Sequence, residues 1–234
     1  QFFDSLAEAM LKLTSMVMMY APIGVFGLLT YTVGTYGAEV LLPLLKLIMV
    51  MFVACIIHIC IIYLPCIKYS GVPLKKFFKE LTSTILVAFS SASSAAALSS
   101  NLQSVQRLGA SRPVSSFLIP LGNTINMDGT AIYMGVCSIF AATFFGIDLT
   151  FDKQILIVII AMLASVGTMG VPGAGVIMIS MVFTQVGIPL EAIALIAGID
   201  RVLDMMRTTL NVLGDATGAL TVSKAENDMH PIQE

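Results

Sequence analysis

Charged and amide side chains recur at helical spacing within residues 199–215, which read IDRVLDMMRTTLNVLGD. Separations of four, three, four and four residues place them on one face of an α-helix. This face consists of Asp200, Asp204, Arg207, Asn211 and Asp215, with Thr208 beside them. A charge in hydrocarbon costs at least ~2.5–3.5 kcal/mol, so the face needs water or protein around it.

The residue types on this face suit a small charged solute and its coupling ions. The guanidinium of Arg207 offers a planar fork for a carboxylate, and Asp204, one turn earlier, suits an ammonium group. The exposed amides at helix N-termini suit a second carboxylate. A solute with one amine and two carboxylates, aspartate or glutamate, satisfies all three. The alternative is a helix whose charges pair with one another inside a bundle.

Composition places the chain in a membrane. Of its 234 residues, 57% are hydrophobic and 11% charged, whereas about 25% of the residues of a soluble domain are charged. The net charge of −2 argues against nucleic acid as a partner. The four cysteines lie in apolar runs without a metal-binding spacing, and two histidines are too few for a histidine-based metal site or triad. The chain begins without methionine, and we expect it to be the later part of a longer protein.

Uncharged stretches of the chain predict which segments span the bilayer. Residues 13–38 and 47–67 are long enough to be spanning helices. A third candidate, residues 113–147, is interrupted by the polar stretch NTINMDGT at 123–130. This interruption puts a carboxylate, two amides and two hydroxyls at membrane depth, where they need water or protein around them.

Two other uncharged stretches are better explained as hairpins that enter and leave on the same side. Residues 81–106 have six serines between Ser90 and Ser100, which weaken a helix. Residues 154–190 contain SVGTMGVPGAG near their middle, where glycine and proline break a helix. With both as re-entrant hairpins, Lys153 alone marks the loops opposite the lysine- and arginine-rich side, as the positive-inside rule requires. A small-residue packing face is the alternative for the serines.

Each predicted hairpin precedes a span, and the two hairpins enter from opposite faces. The two units are therefore inverted relative to each other. Inverted units with broken helices at the midplane are typical of secondary transporters.

Four motifs in this order resemble a known family. NMDGT, the serine-rich hairpin, GVPGAG and DMMRTTLNVLGD are similar to the dicarboxylate/amino acid:cation symporters, which include the excitatory amino acid transporters. The resemblance runs from about Phe2 to Lys224 and begins where that family's fifth transmembrane helix would. It implies an all-α integral membrane protein with transmembrane helices and two re-entrant helical hairpins in inverted repeats. It also implies sodium-coupled symport of acidic amino acids by alternating access, with no cofactor other than sodium ions and no enzymatic activity.

The resemblance also implies a division of the chain. A scaffold-type transmembrane helix is expected at 1–36, a transport domain at 38–224 and a polar tail at 225–234. The transport domain is expected to consist of a helix at 38–68, a re-entrant hairpin at 74–107, an interrupted helix at 112–147, a re-entrant hairpin at 152–187 and a polar-faced helix at 190–222. The protein would be a multi-pass protein of the plasma or inner cell membrane, in contact with the lipid bilayer, and a homotrimer when full length.

The substrate site implied by the resemblance lies between the hairpin tips and the polar-faced helix. Thr130 and Arg207 would bind the side-chain carboxylate of an acidic amino acid, and Asp204 its amine. The other implied residues are Ser93 and Ser94 for the main carboxylate, Thr208 and Asn211 as assisting groups, and the second tip, Gly170, Val171, Pro172, Gly173 and Ala174, as the outer gate.

Three sodium sites are implied in the same way. The first uses backbone oxygens of Gly122, Asn126 and Asn211 with the Asp215 carboxylate. The second lies near Thr124, Met127 and the backbone of Ser165, Val166 and Thr168. The third uses Asn126 and Asp128, with its other ligands on the expected preceding segment. Met134 stands where the animal transporters carry a proton-accepting glutamate, so proton coupling by that route is not expected.

Other functions are weighed against the residues. Asp128 and Asp215 would form the dyad of an intramembrane aspartyl protease, but the sequence before Asp215 lacks the GxG of such enzymes. A channel-like or structural bundle would not need an acid and a guanidinium one turn apart. Within the symporters, Arg207 disfavours a neutral amino acid and Asp204 disfavours a plain dicarboxylate.

Overall fold

The chain folds into helices that pack around one long C-terminal helix. The computed structural model describes residues 2–168 and 170–231, and no β-strand occurs among them. The helices are α1 (Phe2–Met18), α2 (Ala21–Tyr36), α3 (Leu41–His58), α4 (Leu64–Ser70), α5 (Leu74–Ser91), α6 (Ser94–Arg107), α7 (Arg112–Ile125), α8 (Asp128–Phe144), α9 (Phe151–Val166), α10 (Ala174–Val186), α11 (Glu191–Ala197) and α12 (Asp200–Ala225).

The first uncharged stretch, for which one spanning helix is predicted, forms a bent pair of helices. α1 ends at Met18, α2 begins at Ala21, and the two axes differ by 42°. Pro22 lies in the first turn of α2, where a missing backbone N–H costs no helical hydrogen bond. The bend therefore lies next to a proline in the first turn of a helix, where proline is well tolerated.

The second uncharged stretch forms 33 continuous helical residues, Ala38–Ser70. A 3-10 turn leads into α3, and a π-helical turn, Ile59–Tyr63, joins α3 to α4. The wider π turn brings residues five apart to the same side of the helix. Gly71, in the left-handed region at φ +81°, ends α4.

Helices α5 and α6 form an antiparallel hairpin whose turn lies in the serine-rich segment. Ala92 adopts a left-handed conformation with φ 52°, and Ser93 is extended. The Ser93 hydroxyl caps α6 by accepting from the backbone N–H of Ala96 at 3.3 Å. Between the arms, the hydroxyl oxygens of Thr84 and Ser100 lie 2.8 Å apart. We call residues 92–94 the first tip.

Helices α9 and α10 form a second antiparallel hairpin. α9 ends at Val166 and α10 begins at Ala174, so residues 167–168 and 170–173 of the glycine- and proline-rich stretch lie outside the helices. Gly173, at φ +78°, adopts a conformation that side chains rarely allow. The arms pack through buried apolar residues such as Ala161 and Phe183. The residues between the arms, 167–168 and 170–173 where the structure describes them, are called the second tip.

A non-helical break at Asn126–Met127 separates α7 from α8, within the predicted polar interruption. Taken together, Arg112–Phe144 has the length and composition to cross a membrane, as does Ala38–Ser70. Among the described residues these are two such helices, or three if the bent α1–α2 pair is one span. All of the described architecture agrees with an all-helical membrane protein.

The predicted polar-faced helix at 190–222 is divided in the structure. α11 ends at Ala197, and α12 begins at Asp200 and continues to Ala225. The division lies at Gly198, where a methyl group would meet the side chain of Leu29 at 3.0 Å. The break between α11 and α12 therefore lies where α2 packs closely against Gly198. α12 then passes through the centre of the molecule, in contact with α3 to α8.

Beyond α12, the described chain turns back onto the connection between α6 and α7. The backbone N–H of His230 donates to the carbonyl of Gly109 at 2.9 Å. Of the predicted polar tail at 225–234, residues 232–234 lie outside the described residues.

Candidate functional site

The polar face of α12 is buried within the protein. Its six polar side chains belong to residues that are between 3% and 7% exposed: Asp200, Asp204, Arg207, Thr208, Asn211 and Asp215. Burial of so many charged groups is costly unless each has a partner. The partners of these groups therefore define the site.

Arg207 is the centre of the charged cluster. Its Nε donates to Oδ1 of Asp204 at 2.9 Å, and its Nη1 lies 3.5 Å from Oδ1 of Asp200. The Thr208 hydroxyl donates to the same Asp204 oxygen at 3.2 Å. The guanidinium also lies over the ring of Tyr133, 4.5 Å from its centroid. Two carboxylates and an aromatic face thus offset the cost of burying one guanidinium.

Two glycines allow the surrounding backbone to approach Arg207. A methyl group at Gly175, in the first turn of α10, would overlap the guanidinium. A methyl group at Gly129, in the first turn of α8, would overlap the backbone of Arg207 itself. The charged cluster is therefore enclosed by α8 and by the second hairpin.

The two hairpin tips meet above this cluster. The Ser93 hydroxyl donates to the carbonyl of Gly170 at 3.0 Å, and the backbone N–H of Gly173 donates to Oδ2 of Asp204 at 2.8 Å. A methyl group at Gly170 would overlap the Ser94 hydroxyl. Each tip thus contacts the other, and the second tip also contacts α12.

A narrow pocket lies between the tips, α8 and α12. The space between its atoms is about 230 Å³, of which only about 10 Å³ is free to a water-sized molecule. Its lining combines charged, hydroxyl and small residues: Ser94, Met127, Thr130, Thr168, Gly170, Val171, Ala174, Gly175, Asp204, Arg207, Thr208 and Asn211. The Ser94 hydroxyl is buried and makes no hydrogen bond to any described residue. A free hydroxyl beside a helix N-terminus is suited to an anionic group.

Most residues of the predicted substrate site line this pocket, and three do not. Ser93 forms the contact between the tips instead. Pro172 and Gly173 line a neighbouring pocket between the second tip and α2, which Asp204 also lines. The space between its atoms is about 620 Å³, of which about 250 Å³ is free to water-sized molecules. The structure therefore places Ser94, and not Ser93, with its hydroxyl available to the pocket.

The residues of the first predicted sodium site are brought together by α7 and α12. Asn126 Nδ2 donates to Oδ1 of Asp215 at 2.9 Å and to the carbonyl of Asn211 at 3.1 Å. A methyl group at Gly122 would meet the Asp215 carboxylate, so that glycine lets the carboxylate approach the α7 backbone. Carbonyl and carboxylate oxygens of this kind are ligands for hard cations.

Two residues of the second predicted sodium site lie at the same pocket. Met127 and Thr168 line the 230 Å³ pocket. Thr124 donates its hydroxyl to the carbonyl of Leu121, Ser165 donates to that of Met162, and Val166 is 50% exposed. Thr124, Ser165 and Val166 are not among the residues that line the pocket.

Asp128, predicted for the third sodium site, has two protein partners from the α3–α4 helix. Tyr63 Oη donates to Oδ2 of Asp128 at 2.8 Å and lies 3.2 Å from the carbonyl oxygen of Leu210. His58 Nε2 lies 3.2 Å from the same carboxylate oxygen. The π-helical turn between His58 and Tyr63 directs both side chains to Asp128.

Several residues near the site were not predicted from the sequence. Tyr133 follows Thr130 by three residues, a spacing that indicates the same helix face, and Gly175 adjoins the predicted tip. No local signal indicates Arg201, whose guanidinium reaches the carbonyls of Ser90 and Ser91 on the first hairpin. That contact joins positions more than 100 residues apart, and a sequence pattern does not reveal it.

Comparison with known proteins adds independent information. Residues 1–225 match the model of the sodium:dicarboxylate symporter family. The chain is 38% identical over 226 residues to the proton/sodium-glutamate symport protein of Geobacillus stearothermophilus, covering 97% of this chain and 54% of that protein. It is 37% identical over 225 residues to the proton/glutamate-aspartate symporter of Escherichia coli K12, with coverage of 96% and 52%.

A third relative has a different named substrate. The chain is 32% identical over 228 residues to the C4-dicarboxylate transport protein of Bacillus subtilis 168, covering 97% of this chain and 54% of that protein. The chain thus spans about half the length of the curated relatives it matches.

Proposed function

This chain belongs to the sodium:dicarboxylate symporter family, and from that membership we propose that it transports aspartate or glutamate together with sodium. The family and the curated relatives are symporters and not enzymes, which excludes the aspartyl protease alternative. Membership of the family implies the general activity, which is symport of a dicarboxylate or an acidic amino acid. The choice of substrate and ion rests on the site.

The observation that carries the proposal is the pair of Asp204 and Arg207 within the enclosed pocket. Arg207 suits the side-chain carboxylate of the solute, with the Thr130 hydroxyl in the same pocket, and Asp204 suits the amine. The free Ser94 hydroxyl and the start of α6 suit the main carboxylate. A plain dicarboxylate offers no ammonium to Asp204, and a neutral amino acid offers no second carboxylate to Arg207.

Sodium is the proposed coupling ion. The oxygen atoms around Asp215 and Asn126 support the first site, and the proximity of Met127 and Thr168 supports part of the second. A third site at Asn126 and Asp128 would need ligands from outside the described residues. The carboxylates of the polar face outnumber Arg207, so a net-negative site favours cations.

We also propose that both hairpins are re-entrant and related as inverted repeats. The arms α6 and α10 have 14 and 13 residues, and at 1.5 Å per residue they are only about 20 Å long, short of the roughly 30 Å hydrocarbon core. A non-helical tip at membrane depth needs protein around it, and here the two tips cover each other and the second tip also contacts α12. This arrangement suits alternating access in a secondary transporter.

The division into a scaffold-type helix and a transport domain is likewise a proposal. α2 packs against α11, and the 620 Å³ pocket separates it from the second tip, whereas α3 to α8 pack directly on α12. On this basis residues 1–36 belong to the scaffold and residues 38–224 to the moving unit. The protein would be a multi-pass protein of the cell membrane, and a homotrimer in its full-length form.

Titration calorimetry tests the proposed substrate and ion together. The protein expressed from its complete natural gene is titrated with aspartate, glutamate, serine and succinate, in sodium buffer and in choline buffer of equal ionic strength. We expect tight binding of aspartate or glutamate in sodium only, and weak binding of serine and succinate. Tighter binding of succinate or serine would contradict the acidic amino acid, and equal binding in choline would contradict sodium coupling.

A further inference from the structure

Arg201, at the start of α12, contacts the first hairpin at the point where its tip begins. We propose that Arg201 is a positioning residue of the substrate site, which neutralises the carbonyl end of α5 so that the first tip can accept a carboxylate. This inference rests on the proposed function, because it concerns the main carboxylate of the amino acid. Arg201 itself does not line the 230 Å³ pocket and need not touch the solute.

The contact consists of two hydrogen bonds between distant parts of the chain. Nη2 of Arg201 donates to the carbonyl of Ser90 at 2.8 Å, and Nη1 donates to the carbonyl of Ser91 at 3.3 Å. Both carbonyls belong to the last turn of α5, immediately before Ala92 reverses the chain. A planar guanidinium can satisfy two adjacent carbonyls in this way, whereas a lysine would act as a point charge.

The end of α5 is electrostatically unfavourable for an anion. The last four carbonyls of a helix have no partner in the helix, and they carry the negative end of its dipole. Here that end, Ser91, lies three residues before Ser94, whose buried hydroxyl is free to face the pocket. The start of α6 attracts a carboxylate and the end of α5 repels it. Arg201 binds the carbonyls at the end of α5 and so removes this repulsion.

The guanidinium of Arg207, which lines the pocket, already has carboxylate partners. Arg207 is paired with both Asp200 and Asp204, so it does not compensate the α5 carbonyls. Asp200 and Asp204 also line the 620 Å³ pocket with Arg201, and their charges add to the negative potential near the first tip. Arg201 therefore supplies positive charge where the structure places an excess of negative groups.

A second arginine of the same hairpin provides a matched control. Arg107, at the opposite end of the hairpin, donates from Nε to Oε2 of Glu80 at 3.0 Å and so joins the two arms. Loss of Arg107 removes an ion pair from the hairpin base but changes no charge near the tip. If Arg201 acted only by stabilising the hairpin, replacement of Arg107 would weaken aspartate binding in the same way.

The test compares Arg201→Gln, Arg201→Lys and Arg107→Gln in the protein expressed from its complete natural gene. Calorimetry in sodium buffer gives the Kd of aspartate, and competition gives that of its α-carboxamide, which keeps the amine and side-chain carboxylate but lacks the main carboxylate. We expect Arg201→Gln to weaken aspartate binding about five- to tenfold, in line with a charge at a partly buried helix end, and to leave the carboxamide unchanged. Arg201→Lys should lose less, and Arg107→Gln should bind aspartate as the unaltered protein does.

The outcomes separate this inference from the proposed function. Unchanged aspartate binding in Arg201→Gln, or an equal loss for aspartate and its carboxamide, would overturn the role of Arg201. A similar loss in Arg107→Gln would show that only hairpin stability matters. Failure of the unaltered protein to bind aspartate would instead contradict the proposed function. Thermal unfolding of each variant identifies any that fails to fold, and in that case Arg201→Lys decides the question.

Discussion

Arg207 and Asp204 hold each other within the pocket, with Nε of the arginine 2.9 Å from Oδ1 of the aspartate one turn earlier. The two charges that the proposed function assigns to opposite ends of the solute are therefore adjacent on one helix. A solute that takes one of them leaves the other without its partner unless it also brings the complementary charge. This relationship favours a zwitterion with an additional carboxylate over a neutral amino acid or a dicarboxylate.

Replacing Arg207 with alanine should abolish aspartate binding and spare part of any binding of neutral amino acids. The side-chain carboxylate would lose its bidentate partner, a change worth about 2–5 kcal/mol for a buried charge pair. Calorimetry with aspartate and serine in sodium buffer measures both effects. Arg112→Ala, at an exposed arginine at the start of α7, is the control and should bind normally. Unchanged aspartate affinity in the Arg207 variant would refute the assigned role.

Replacing Gly175 with alanine should displace the Arg207 guanidinium, because the added methyl group would occupy its position. The affinity for aspartate should fall by about tenfold or more, while overpacking costs the fold about 1–3 kcal/mol. Gly135→Ala is the matched control, since a methyl group there meets nothing within 4 Å. Binding assays and thermal unfolding of both variants separate the effects. If the two variants bind aspartate equally well, the close approach of Gly175 has no part in recognition.

Local features of the fold were accessible from the sequence. The helix breaks near Ser93 and at GVPGAG coincide with residues that disfavour helix through their own chemistry, and the polar face of α12 follows from spacing within a single helix. The family assignment and the absence of an enzymatic role in that family agree with the prediction from the same motifs.

Features that depend on distant contacts were not accessible. The break at Gly198 coincides with close packing of Leu29 from another helix, and no proline marks it. The hydrogen bonds of Arg201 to Ser90 and Ser91 join segments that only the tertiary fold brings together. The partnership of Tyr63 with Asp128 depends equally on how the α3–α4 helix packs against α8 and α12.

Replacing Asp215 with asparagine should weaken the dependence of aspartate binding on sodium. The amide has the same shape as the carboxylate and can still contact Asn126, so the fold should be retained while one negative ligand is lost. The sodium concentration for half-maximal aspartate binding should rise about tenfold, as expected for an effect of roughly 1.4 kcal/mol. Asp148→Asn, at an exposed carboxylate, is the control. A sodium titration that coincides with that of the unaltered protein would remove Asp215 from the proposed ion site.

Replacing Tyr63 with phenylalanine should destabilise the contact between the α3–α4 helix and the centre of the molecule. The Tyr63 hydroxyl donates to Asp128 and lies beside the carbonyl of Leu210, so its loss leaves a partly buried carboxylate with one partner fewer. The expected cost is about 1–3 kcal/mol, the usual penalty for an unsatisfied buried group. Thermal unfolding in detergent measures it, and Tyr31→Phe, at a tyrosine that is 62% exposed, should leave stability unchanged. If Tyr63→Phe unfolds at the temperature of the unaltered protein, the hydroxyl contributes nothing to this contact, and Asp128 must be held by His58 or by groups outside the described residues.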